Sequence, residues 1–250
     1  MKKRKKVISN IKITRSAIPN LLTLGNAFSG FAAIIFIAQC NFKFALFYIF
    51  MAAIFDLFDG IVARILRATS ELGAELDSLC DTISFGVAPS FLLYKAYFEQ
   101  FGEFGIVISA IPTLAGVYRL ARFNSQLNSF NDKLYFKGLP IPAGAVAILS
   151  YIYFYVNTNF FTPDVTKILT IIITILVGVC MVSKIKFDNF PRPTIKNFKA
   201  NPIMFIGVIT AIVIGIITMG KSIFPTMLVY LFYSILKGII VFIKDYRNLQ

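Results

Sequence analysis

The stretch FALFYIFMAAIFDLFDGIVAR, residues 44–64, opens with twelve apolar residues and then places Asp56 and Asp59 before the run has ended. Apolar blocks of this kind recur along the 250-residue chain. Windows of about 20 apolar residues, the length that crosses a bilayer as a helix, fall near 18–38, 43–66, 72–95, 104–124, 139–158, 165–183, 201–219 and 223–243. Hydrophobic residues make up 57% of the chain and charged ones 15%, against about 25% charged in a soluble domain. The expected fold is therefore all-α, a polytopic membrane bundle of about eight transmembrane helices. It divides into a basic N-terminal segment (1–17), a six-helix core (18–183), a basic connector (184–200), and two further helices with a short tail (201–250).

The net charge of +13 would suit nucleic acid, but its placement argues otherwise. Lys2, Lys3, Arg4, Lys5, Lys6, Lys12 and Arg15 crowd the N-terminal end, and most other basic residues lie in short connections. Of the 25 Lys and Arg residues, 20 fall on the N-terminal side of the expected membrane and four on the other, with Lys237 inside the last span. Basic flanks are retained in the cytoplasm and meet anionic lipid head groups. Both termini are expected to be cytoplasmic, in a cell membrane, with no nucleic acid partner. Cys40, Cys80 and Cys180 lie in or beside apolar stretches and read as small fillers. The chain has no histidine, so acid–base or metal chemistry falls to carboxylates. The 27 phenylalanines read as lipid-facing and interhelical packing.

Asp56 and Asp59 in the second window, with Asp77 and Asp81 in the third, are energetically out of place. Each aspartate at a helix centre costs about 2.5–3.5 kcal/mol on insertion scales. Helical spacing puts Asp56, Asp59, Gly60 and Ala63 on one face, and Gly73, Asp77, Asp81 and Ser84 on one face of the next helix. The short connection makes the two helices antiparallel, with Gly60, Ala63 and Gly73 expected to permit close approach. Four carboxylates would then share one cleft, with only Arg64 and Arg67 nearby as counter-charges. An all-oxygen site short of positive charge suits hard divalent ions, and two Mg²⁺ or Mn²⁺ ions would balance it. Paired metals are a recurring device of phosphoryl chemistry.

These residues, Asp56-x2-Asp59-Gly60-x2-Ala63-Arg64-x8-Gly73-x3-Asp77-x3-Asp81, resemble the CDP-alcohol phosphotransferase signature with no departure. The resemblance implies that Asp56, Asp59 and Asp77 ligate a di-metal centre, with Asp81 sharing a ligand position and serving as the general base. It implies that Gly60, Ala63 and Gly73 leave room for the CDP moiety, and that Arg64 steadies phosphates or aspartates. It also implies a homodimer.

A second set of segments is similar to bacterial-type phosphatidylserine synthases: residues 116–124 (GVYRLARFN), 136–143 (FKGLPIPA) and 181–186 (MVSKIK). This resemblance implies CDP-diacylglycerol as donor and L-serine as acceptor. Arg119, Arg122 and Lys137 fall at the cytoplasmic end of the expected fourth and fifth spans. A guanidinium grips a carboxylate bidentately, and Asn124 can offer an amide, so these four residues are the candidate serine site. Pro140 and Pro142 read as the start of a helix. Other acceptors, glycerol 3-phosphate or an inositol phosphate, and an archaeal-type lipid donor remain alternatives. A cation transporter would scatter its acids over several spans, whereas these cluster on two.

Overall fold

The computed structural model describes residues 16–68, 70–127, 138–185, 210, 213–215 and 217–247. Its described secondary structure is entirely helical: α1 (Ala17–Ala38), α2 (Phe42–Ile65), α3 (Glu71–Asp81), α4 (Ala88–Ala96), α5 (Gly102–Leu127), α6 (Ile141–Tyr151), α7 (Pro163–Val182) and α8 (Ile223–Arg247). A π-helical turn, Thr82–Val87, joins α3 to α4, so Glu71–Ala96 is one continuous rod. Among the described residues, five helices are long and apolar enough to cross a membrane: Ala17–Ala38, Phe42–Ile65, Glu71–Ala96, Phe98–Ser125 and Pro163–Val182. Ile141–Val156 and Ile223–Gly238 are shorter apolar helices. Most of the expected span at 201–219 lies outside the described residues, as do most of the N-terminal segment and of the connector.

The helices bury what a soluble protein would expose. On α1 the buried positions include Thr23, Asn26, Ser29, Gly30 and Ala33, while Leu21, Leu24, Phe28 and Phe31 point outward. On α2, Ala45, Ala52 and Asp59 are buried while Phe44, Phe47, Phe50 and Phe58 are exposed. Lipid tails solvate the large apolar side chains as well as a core would, so small and polar residues take the interhelical contacts. On these two helices several phenylalanines therefore face outward, while Phe85, Phe98 and Phe224 are buried in the core.

The central pillar is α6. Ile141, Ala145, Ala147, Ile148 and Tyr151 are all nearly inaccessible, and the helix packs against α4, α7 and α8. Pro140 occupies its N-cap and Pro142 its first turn, where a missing N–H costs nothing. The Tyr151 hydroxyl is satisfied inside the bundle, 2.9 Å from Thr170 Oγ1.

One expectation changes. The helices α2 and α3 do not pack closely on each other; both lean on α1, and α2 does so along most of its length. Gly60 does not make the expected helix contact: a Cβ built there meets nothing within 4 Å, so open space lies beside the aspartates. The close approach occurs at Gly30 of α1, where a Cβ would lie 2.3 Å from Ser84 Oγ and 2.8 Å from Ser84 Cα. Glycine at 30 lets the backbone of the rod come against α1.

Candidate active site

The rod that carries two of the aspartates begins at a well-made cap. Ser70 Oγ accepts from the Gly73 backbone N–H at 3.0 Å, which satisfies one of the free donors of the first turn. Upstream, α2 ends through Arg67 at φ +50°, with the Ala68 N–H donating to Ala63 O. This short reversal returns the chain so that Asp77 faces the end of α2.

Asp56, Asp59 and Asp77 each present a carboxylate oxygen, and the three lie within 4.8 Å of one another. The carboxyl groups of Asp56 and Asp77 are within hydrogen-bonding reach. Asp59 is 6% exposed, and its Oδ2 is buried without a hydrogen-bond partner among the described residues. Thr23 of α1 lies near Asp59, while its own hydroxyl donates to Pro19 O at 3.0 Å. Such a group of acids, Asp59 buried and the other two half-buried, is repulsive unless something positive joins it. The orphaned oxygen and the all-carboxylate donor set fit a hard divalent cation.

Asp81 stands apart from that trio. It is 8% exposed, and its Oδ1 accepts from Asn26 Nδ2 of α1 at 3.1 Å. Arg119 of α5 is 6% exposed and interacts electrostatically with Asp81 and Arg122. Its Nε has no hydrogen-bond partner among the described residues. The structure thus brings Arg119 to the aspartate side.

The other candidate acceptor residues are placed differently. Arg122 donates to Val182 O at 2.9 Å and to Ser183 O at 3.2 Å, holding the carbonyl end of α7, and lies over the Tyr118 ring. Asn124 Nδ2 donates to Ser78 Oγ at 3.0 Å, which links α5 to the residue after Asp77. Lys137 lies outside the described residues. Arg64 is exposed and donates to Gly60 O of its own helix at 2.7 Å. Ala63 is half-buried, and at Gly73 a Cβ would meet Ser70 Oγ at 3.1 Å.

Residues 16–213 match the sequence profile of the CDP-alcohol phosphatidyltransferase family. The chain belongs to this family. Among its relatives is the CDP-diacylglycerol–serine O-phosphatidyltransferase of Helicobacter pylori (strain ATCC 700392 / 26695), 34% identical over 92% of this chain and 94% of that protein. A Bacillus subtilis (strain 168) protein of the same name is 36% identical over 73% of this chain and 96% of its own length. The archaetidylserine synthase of Methanothermobacter thermautotrophicus is 34% identical over 69% of this chain and 70% of that protein. In this family member the aspartates occupy two helices braced by a third, and Asn26, which donates to Asp81, was not legible in the sequence as a partner for them. An amide at position 26, inside an apolar window, was the available signal.

The open space at Gly60 gives a direct test. Alanine there meets no neighbour, and helix propensity favours it by about 1 kcal/mol. Gly60→Ala is expected to unfold in detergent at the wild-type temperature or slightly higher, yet to raise the KM for a CDP-linked lipid at least about tenfold, the effect of a misfit worth roughly 1.4 kcal/mol. Unchanged kinetics would show that the donor does not use this space.

Proposed function

We propose that this chain transfers the phosphatidyl group of CDP-diacylglycerol to the hydroxyl of L-serine, giving phosphatidylserine and CMP. The observation that carries the reaction type is the convergence of Asp56, Asp59 and Asp77 beside Asp81 in a member of this family. The acceptor follows from relatives named for serine that match over most of the chain.

In this reading the serine oxygen attacks the phosphorus on the diacylglycerol side of the pyrophosphate. The new P–O bond forms as the bond to CMP breaks, and the hydroxyl proton passes to Asp81, a positioned base. Asp56, Asp59 and Asp77 would hold two divalent ions, Mg²⁺ or Mn²⁺, which when bound supply positive charge to the pyrophosphate and the departing CMP. Gly60, Ala63 and Gly73 leave room for the CDP portion, and Arg64 stands at its edge. Arg119 meets the serine carboxylate in this reading, which its burial near Asp81 supports. Arg122 and Asn124 shape that side of the site through α7 and Ser78, and Lys137 joins them. The enzyme is a homodimer of eight-span protomers in the cell membrane, with site and termini cytoplasmic and the domain limits drawn from the sequence. The Lys and Arg distribution supports this orientation.

The deciding experiment measures CMP release from membranes supplied with CDP-diacylglycerol, a divalent metal and an acceptor panel. Serine is expected to exceed glycerol 3-phosphate and an inositol phosphate by at least about 100-fold in kcat/KM, a lower bound on what a site built on polar contacts discriminates. Faster turnover with either phosphate would overturn the serine assignment. The match to an archaetidylserine synthase makes an ether-linked CDP lipid a second donor worth including.

A further inference from the structure

Asn26 is fully buried in α1 at 0% exposure, an amide at a position where an apolar residue would be cheaper. Its Nδ2 donates to Asp81 Oδ1, while its own Oδ1 is buried with no hydrogen-bond partner among the described residues. A half-satisfied buried amide is a poor device for stability, since an apolar side chain of similar size would pack without leaving an orphan. The bond to Asp81 is what its side chain accomplishes.

The surroundings fix that bond. Ser84 Oγ, fully buried, donates to the Asn26 backbone carbonyl at 3.0 Å. This contact exists because Gly30 lets Ser84 come against α1. The π turn begins at Thr82, immediately after Asp81, so Asp81 and Ser84 both reach the same residue of α1. Asn26 is thus held by its backbone at one point and holds Asp81 by its side chain at another.

We propose that Asn26 is a positioning residue for the reaction: it occupies Oδ1 of Asp81 and turns Oδ2 toward the acceptor hydroxyl as the proton-accepting oxygen. A carboxylate free to rotate would offer either oxygen in many orientations, and proton transfer requires one atom within hydrogen-bond reach of the hydroxyl. The proposal rests on the reading of Asp81 as the base.

The test is a double-mutant cycle on the full-length enzyme in detergent or vesicles, with CDP-diacylglycerol, serine and Mn²⁺. Asn26→Leu is expected to lower kcat by about 10- to 100-fold, less than the roughly 10²- to 10⁴-fold that the proton acceptor itself contributes, while the KM values for serine and CDP-diacylglycerol stay within about twofold. In the Asp81→Asn background it is expected to have little further effect, because coupled residues are non-additive. Ser84→Ala, a smaller change, should lower kcat alone by a few fold, and it decides the matter if Asn26→Leu does not fold. An equal loss from Asn26→Leu with and without Asp81, or a rise in both KM values, would overturn the positioning role. Full activity in Asp81→Asn would instead overturn the base assignment beneath it, so the two failures are distinguishable.

Discussion

Asp77→Asn is expected to lower metal-dependent CMP release by roughly a thousandfold and, at the same time, to make the metal-free protein more stable. The loss follows from the site: a cation clamped by carboxylates contributes several kcal/mol to charge stabilisation, and each 1.36 kcal/mol is tenfold in rate. The gain follows from the same geometry. Asp56, Asp59 and Asp77 present oxygens within 4.8 Å of one another. At such separations two ionised groups repel by roughly 3–4 kcal/mol at an effective dielectric constant near 20. Removing one of the three relieves part of this in the absence of metal, raising the melting temperature by a few degrees.

Added Mn²⁺ should reverse the order. A ligand at 100 times its Kd stabilises the form that binds it by about 2.7 kcal/mol, and the variant forfeits most of that. Thermal unfolding with and without Mn²⁺ reads both halves of the result. A variant that is less stable without metal, yet keeps the full metal-induced shift, would remove Asp77 from the cation site.

Asp81→Asn is expected to show the complementary pattern. Transfer should slow by about 10²- to 10⁴-fold, the range of a general base, while the Mn²⁺-induced thermal shift persists. The structure distinguishes this residue from the other three: its Oδ1 is engaged by Asn26 Nδ2, whereas Asp56, Asp59 and Asp77 converge on one another. Asparagine has the same shape and can still accept from Asn26, so folding should be preserved. Disappearance of the thermal shift in this variant would make Asp81 a metal ligand first and a base second.

The long helices were legible in the sequence because apolar blocks of bilayer length have few other uses. The expected starts and ends near 18–38, 43–66 and 165–183 fall within a few residues of α1, α2 and α7. The four aspartates were legible for the opposite reason, as charges where lipid-soluble residues belong. What escaped was the support for them. Asn26 is uncharged, so its cost inside an apolar window is small enough to pass unnoticed. Arg122 illustrates a different obstacle: an arginine near the end of a helix looks the same in sequence whether it meets a substrate or the carbonyls of Val182 and Ser183. Gly60 and Gly30 were likewise indistinguishable as letters, though one leaves space open and the other lets two backbones nearly touch.

The π turn at Thr82–Val87 has a consequence for chain length. It accommodates one extra residue relative to regular α-helix, and so sets the rotational phase between α3, which bears Asp77 and Asp81, and α4, which buries Ala88, Leu92 and Leu93. Each residue is worth about 100° of rotation. Deleting any one residue from this turn would yield a more regular helix, yet swing the aspartates away from α1 and α2 or the apolar face away from the core. The number of residues between Asp81 and Ala88 is therefore fixed by the two faces that the turn connects.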